Sequence, residues 1–399
     1  MSSPITDLIH HPYAPPAGFA APQPGVFKAS TVIFPNVAAM RARDWKQKGG
    51  YTYGLHGTPT TFLLEERIAA LEGGKHCLLV PSGLAAIANV SLSLLGAGDE
   101  VLVPDNAYGP NKALAEGELQ QWGITHQFYD PMDPADLQSR LGPRTKLVWL
   151  EAPGSVTMEF PPLARQAAIC RERGVTTALD STWSSGLAYN GFDLGGPMGS
   201  GADIVVHALT KYPSGGGDVL MGAVVTRDDA LHLKLKLTHM RLGLGVGAND
   251  AEAILRSLPS LALRYHAQDQ AARRLAAWLR QRPEVARVLH PAFEGSPGHA
   301  HWQATCGADG AAAGLFSVTF HERYSPRQVD AFCDALELFK LGYSWGGPVS
   351  LVVPYDLATM RSARFGGTLC RGMLVRFSVG LEAVSDLQLD LEHALAALG

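Results

Sequence analysis

Lys211 stands in the run His207-Ala208-Leu209-Thr210-Lys211-Tyr212, directly after the apolar residues 204–206, which read as a strand. An amine at a strand's carboxyl end, near low-dielectric walls, is placed to form an imine with an aldehyde and to act as a base. Asp180 ends a second strand-like segment, 175–179. A carboxylate there favours the protonated form of a basic ring nitrogen. Pro81-Ser82-Gly83-Leu84 joins an apolar strand to an apolar helix. Gly83 permits close backbone approach, and a helix start binds a phosphate. Tyr108 follows a strand at 100–103 and offers a flat ring and a hydroxyl. Arg376 sits among apolar residues at 374–378, where a guanidinium suits a carboxylate substrate.

An amine, an acid, an anion cradle, a stacking ring and a carboxylate-binding arginine together match the needs of pyridoxal 5′-phosphate (PLP). Taken singly, each has a plainer alternative. Lys211 reads as a loop lysine, Asp180 as a helix N-cap, Tyr108 as a half-buried loop tyrosine and Arg376 as half of a structural ion pair. The joint placement carries the reading, because four of the groups fall at strand ends of one sheet. Neither GxxxxGK[ST] nor GxGxxG precedes the helix at 84–95, which argues against a nucleotide.

The elements that must position these groups alternate. Helices are expected at 61–71, 84–95, 111–122 and 163–173. Strands are expected at 76–80, 100–103, 146–150, 175–179, 204–208 and 223–226. Such alternation predicts a mostly parallel sheet with helices on both faces and ligands at the strands' carboxyl ends. Beyond residue 250 the pattern changes to one long helix at 250–282, strands at 314–320 and 374–378, and helices at 326–336 and 385–398. The fold class is therefore α/β: a large mostly parallel-sheet domain with a smaller C-terminal α/β domain. Six prolines among the first 25 residues predict an extended arm.

Composition narrows the function. With 46% hydrophobic and 18% charged residues, a net charge of −4 and no long basic run, nucleic acid is not an expected partner. No apolar run approaches the roughly 20 residues of a membrane span, and no signal-peptide pattern opens the chain, so the expected location is cytoplasmic. Five widely spaced cysteines and fourteen histidines outside metal-ligand spacings predict neither disulfides nor a metal centre.

The chain resembles the Cys/Met-metabolism (transsulfuration) family of PLP enzymes from about Tyr51 to its end. The segments that carry this are Tyr51-Thr52-Tyr53-Gly54, Gly57-Thr58-Pro59-Thr60, Leu71-Glu72-Gly73-Gly74, Pro81-Ser82-Gly83, Asp180-Ser181-Thr182-Trp183, Thr210-Lys211-Tyr212 and Arg376-Phe377-Ser378-Val379-Gly380-Leu381-Glu382. Tyr343-Ser344-Trp345-Gly346-Gly347 and the run 151–159 are most similar to the family's bacterial cystathionine β-lyases. The resemblance implies a type I aminotransferase-like fold, with an arm at 1–55, a PLP-binding domain at 56–249 and a C-terminal domain at 250–399. It implies Lys211 as Schiff-base lysine and proton carrier, with Tyr108 as stacking and catalytic residue. Asp180 would pair the ring nitrogen, Gly83, Leu84 and Thr210 would hold the phosphate, and Tyr53 would reach a neighbouring subunit's phosphate in a homotetramer. Ser344, Trp345 and Arg376 would bind the substrate. The implied reaction is β-elimination of L-cystathionine, or a related cysteine S-conjugate, to a thiol, pyruvate and ammonia. A γ-lyase, a γ-synthase and a PLP-fold protein that binds without turnover stay open at this stage.

Three departures stand out. Leu55 occupies the position where the family commonly has a phosphate-binding arginine, with His56 as a possible substitute donor. Gly195-Gly196-Pro197-Met198-Gly199-Ser200-Gly201 reads as an insert, and Pro348-Val349 replaces an aromatic and an acid. These predict altered cofactor affinity and substrate choice, with the fold unchanged.

Overall fold

Between residues 76 and 226 the chain forms a seven-stranded sheet of β1 (His76–Val80), β2 (Glu100–Pro104), β3 (Thr125–Tyr129), β4 (Thr145–Glu151), β5 (Thr176–Asp180), β6 (Ile204–His207) and β7 (Gly222–Thr226). Their order is β1-β7-β6-β5-β4-β2-β3. The neighbours β6, β5, β4, β2 and β3 run parallel, whereas β7 runs antiparallel to both β6 and β1. Two reversals restore direction, so β1 points the same way as β6. The structure, a computed structural model, describes residues 21–46, 48–195, 201–361 and 372–399, with positions 6, 8, 9, 17–19, 365 and 369. Most of the proline-rich first 20 residues, residues 196–200 of the glycine-rich stretch and Cys370 lie outside the described residues.

Successive strand residues face opposite sides of the sheet. Leu79, Leu102, Val148, Leu150, Leu179 and Val205 enter one core, and Val80, Val101, Val103, Leu147, Trp149 and Val206 enter the other. Helices cover both faces, which explains why these strands read as unbroken apolar runs. The covering helices include α1 (Pro59–Glu72) and α2 (Gly83–Leu94). Thr58 caps α1 through the Thr61 N–H, and Gly73 ends it at φ 73°, a left-handed turn that favours glycine.

Several expectations are corrected. The helix expected at 111–122 begins as α3 (Gly109–Leu114) and passes into a π-helical turn at Ala115–Leu119. The long helix expected at 250–282 is three pieces: α4 (Ala248–Ser257), a 3₁₀ turn at Leu258–Ser260 and α5 (Leu261–Leu279). Pro259 cannot donate to an α-helical ladder, so the chain breaks there. Sequence reading also missed β3, a helix at Pro134–Arg140 and a helix at Asp229–Leu242.

The second sheet contains β8 (Val285–Leu289), β9 (Leu315–Phe320), β10 (Lys340–Leu341), β11 (Leu351–Asp356) and β12 (Met373–Ser378), in the order β10-β11-β12-β9-β8. Only the β10–β11 pair is parallel. Phe316, Phe332, Phe339 and Phe377 are packed in its core. This packing holds β12, and with it Arg376, in a fixed frame.

Candidate active site

Residues at and beyond the carboxyl ends of β1, β2, β4, β5 and β6 line one cavity of about 670 Å³, together with residues from the second sheet and its loops. Gly83, Leu84, Tyr108, Asp180, Thr210, Lys211, Ser344, Trp345 and Arg376 all line it. The sequence-nominated residues therefore converge, although Tyr53 is exposed and does not line this cavity. Pro348 and Val349 do not line it either. Their expected effect on substrate choice has no direct contact behind it here.

Lys211 is held from both sides of its side chain. Its Nζ donates to Ser344 Oγ at 2.6 Å and lies 5.4 Å from the centre of the Trp345 ring. The backbone beneath is pinned by Ser214 Oγ, which donates to the Thr210 and Lys211 carbonyls, and by the Gly215 N–H on the Lys211 carbonyl. Burial, and then the nearby Arg376 cation, lower its pKa to about 8, with Asp180 pulling the other way. A pKa brought toward neutrality raises the neutral fraction that a nucleophilic or proton-abstracting amine requires.

Asp180 ends β5 and accepts the Thr182 N–H at 3.0 Å. Burial raises its pKa above the ordinary carboxylate range, opposed by the Thr182 donors and by His207 and Lys211. Its direct neighbour across the β4–β5 register is Glu151. Glu151 is buried and accepts the Tyr108 N–H through Oε2 at 2.8 Å. Burial and then Asp180 push the Glu151 carboxyl well above its usual range. Tyr108 is half-exposed, with its hydroxyl pushed up by burial and by Asp180 and Glu151.

The start of α2 supplies an anion cradle. Ser82 Oγ accepts the Ala85 N–H and the Ser82 carbonyl accepts the Ala86 N–H, which leaves the Gly83 and Leu84 N–H groups without an intrahelical partner. A Cβ on Gly83 would lie 2.6 Å from the Ala208 Cβ, so only glycine brings the helix start this close to β6. Thr210 lines the same end, but its hydroxyl already donates to the Met221 carbonyl and accepts the Met221 N–H. An anion there competes with that pair.

Arg376 lies opposite. Its Nη1 donates to the Ser155 carbonyl at 3.0 Å, and its guanidinium sits 5.3 Å from the Tyr355 ring centre. Among the described residues no carboxylate stands within salt-bridge distance of it. The plainer alternative, a structural ion pair, is therefore not what is found. A buried guanidinium without an acid is a receptor for a carboxylate.

A sequence model of the Cys/Met metabolism PLP-dependent enzymes matches residues 5–396. The chain belongs to that family. It is 39% identical to the cystathionine β-lyase of Bordetella avium, with 98% of this chain and 97% of that one covered. It is 33% identical to cystathionine β-lyase MetC of Escherichia coli K12, over 93% and 92% of the two chains. A relative in Wolbachia pipientis, 31% identical over 94% and 92%, is an L-alanine/L-glutamate racemase. Among solved structures, that of metB from Corynebacterium glutamicum superposes with a TM-score of 0.88 at 28% identity, covering 100% of this chain and 99% of that one. The type I PLP fold and the expectation of a PLP-dependent enzyme are thus borne out.

The residues present fit the family's cofactor. The free N–H groups at Gly83 and Leu84 suit its phosphate, Asp180 offers a carboxylate at the strand end for a ring N–H, and Lys211 offers an amine of lowered pKa. Sequence reasoning missed Glu151 and Tyr355. Glu151 had a usable signal: like Asp180, it is the first charged residue after an apolar strand run. Tyr355 had none, because its place beside Arg376 depends on antiparallel pairing of β11 with β12. Reasoning also missed Arg361, whose Nε and Nη1 pair the buried Asp105 and Glu159 at 2.8 and 2.6 Å. That clamp ties the loop leading to Tyr108 to the loop of Ser155.

Proposed function

We propose that the protein is a carbon–sulfur lyase that cleaves L-cystathionine, or a related cysteine S-conjugate, by β-elimination to homocysteine, pyruvate and ammonia. The observation that carries this reading is the meeting of Lys211, its pKa lowered to about 8, with a carboxylate-free Arg376 and the strand-end acid Asp180 around one cavity. The names of the Bordetella avium and Escherichia coli relatives support the choice of substrate.

When bound, PLP supplies an electron sink for negative charge developing at the substrate Cα. Asp180 would keep the ring nitrogen protonated, and Tyr108 would offer its ring to a face of the cofactor. Gly83 and Leu84 would hold the phosphate with their backbone N–H groups, and Thr210 would join them on giving up its pair with Met221. Arg376 and Ser344 take the substrate α-carboxylate, and Trp345 gives the pocket an apolar wall with a polar edge. Lys211 in its neutral form accepts the Cα proton. The Cβ–S bond then breaks with its electron pair on sulfur, and Lys211 or Tyr108 returns a proton to the leaving thiolate. The three-carbon remainder takes up water and yields pyruvate and ammonia.

This reading includes the division into an arm at 1–55, a PLP-binding domain at 56–249 and a C-terminal domain at 250–399, and a cytoplasmic homotetramer in which Tyr53 serves a neighbouring cavity. Exposed Ile33 and Leu263, at 90% and 76%, support burial between subunits. Incubation with L-cystathionine tests the reaction. The reading requires equimolar pyruvate and homocysteine; 2-oxobutyrate with cysteine would mean γ-elimination instead.

A further inference from the structure

Glu151 is a buried acid in the cavity wall that the mechanism above leaves without a task. It ends β4, and its Cα is the direct cross-strand partner of Asp180 at the end of β5. In parallel strands such neighbours stand less than about 5 Å apart and project to the same side. Two acids therefore share one edge of the cavity. Asp180 has a donor of its own in the Thr182 N–H. Glu151 reaches the other way, and its Oε2 accepts the backbone N–H of Tyr108 at 2.8 Å.

Tyr108 needs such an anchor. It sits at the start of α3 with no side-chain cap, in a loop that leaves β2 four residues earlier, and the residue is 40% exposed. Little packing fixes that ring from the solvent side. The bond from Glu151 fixes the backbone beneath it.

We propose that Glu151 is a positioning residue: by accepting the Tyr108 N–H at the strand end beside Asp180, it sets the tyrosine ring over the cofactor position. This rests on the stacking role proposed for Tyr108. Glu151 needs no charge for the task. Burial and the adjacent Asp180 both favour its protonated form, and a neutral carboxyl oxygen accepts an N–H as a carboxamide oxygen does. The length of the side chain is what matters.

Two substitutions separate reach from acidity. Glu151→Gln keeps the length and the acceptor and removes the acid. Glu151→Asp keeps the acid and withdraws the acceptor by one methylene. The readouts are PLP binding to the apoenzyme, followed by quenching of tryptophan fluorescence, and the visible circular dichroism of the loaded protein. We expect Glu151→Gln to bind PLP within about 2-fold of the parent with an unchanged dichroic band, and Glu151→Asp to bind about 10-fold more weakly with a diminished band, as loss of one hydrogen bond predicts. An aspartate variant that behaves as the parent, or a glutamine variant as weak as the aspartate, overturns the proposal. Should the aspartate variant not fold, the glutamine arm alone decides, since a loss of about 10-fold there contradicts an acceptor role. In a Tyr108→Ala background the aspartate penalty should vanish, and its persistence shows that Glu151 acts elsewhere. If Tyr108→Ala alone leaves PLP binding unchanged, the stacking role fails, which is a separate result from failure of the anchor.

Discussion

Lys211 Nζ donates to Ser344 Oγ across 2.6 Å, and that serine holds φ at 91°, a left-handed backbone rare for a residue with a Cβ. The amine from the large sheet is thereby tethered to a loop that precedes β11 of the second sheet. Gly346, two residues on, lies so near the Tyr212 N that a Cβ there would stand 2.9 Å away. The strained serine and the tight glycine together press this loop onto the lysine.

The strain predicts a dissociation of stability from binding. Ser344→Ala and Ser344→Gly both remove the hydroxyl, but only glycine accepts the left-handed backbone freely. The alanine variant should be less stable by about 1 kcal/mol in chemical unfolding. KM should rise about 10-fold in both, because each has lost the same contact.

The lowered pKa of Lys211 predicts how the apoenzyme captures PLP. Only the neutral amine attacks an aldehyde, so the capture rate should rise with pH through an inflection near 8. An ordinary lysine would place that inflection near about 10.4. Arg376 favours the neutral form, so Arg376→Gln should move the inflection upward. Stopped-flow absorbance across roughly pH 6–10, about two units either side of the shifted value, reads both.

Asp180→Asn keeps an acceptor for the Thr182 N–H but removes the charge that protonates the ring nitrogen. We expect kcat to fall by about 100-fold or more, with a smaller change in PLP retention. Equal losses in both would assign Asp180 to cofactor retention alone.

Leu55 lies beside Gly245, so close that a Cβ on that glycine would meet Leu55 Cδ1 at 2.9 Å. His56 is not free to replace a phosphate arginine: its Nδ1 is 2.6 Å from Thr52 Oγ1, and burial, then nearby cations, lower its pKa. Leu55→Arg should therefore slow PLP loss on dialysis, by about 10-fold in the dissociation constant. No change would mean that backbone donors already satisfy the phosphate.

Much of the site was legible because its groups sit where apolar runs stop. Lys211, Asp180 and Gly83 follow strands that are largely buried, and such strands advertise themselves as short runs rich in apolar and β-branched residues. Glu151 was legible by the same rule and was passed over. What could not be read is long-range pairing. Nothing in Gly222–Thr226 announces that β7 runs antiparallel between β1 and β6. The edge strand β3 is half-exposed and lacks an apolar run, so it escaped notice. The helix Asp229–Leu242 buries His232, Lys236 and His239 rather than a clear apolar stripe, which hid its period. Contacts made through such pairings, as of Tyr355 with Arg376 or Arg361 with Asp105 and Glu159, were hidden with them.

The central claim is that Lys211 carries the cofactor. Borohydride treatment of the PLP-loaded enzyme, followed by peptide mapping with mass spectrometry, tests it most directly. The account predicts that an absorbance band near roughly 420 nm disappears and that one stable adduct is recovered, on Lys211. An adduct on another lysine, or no adduct with the band unchanged, would contradict it.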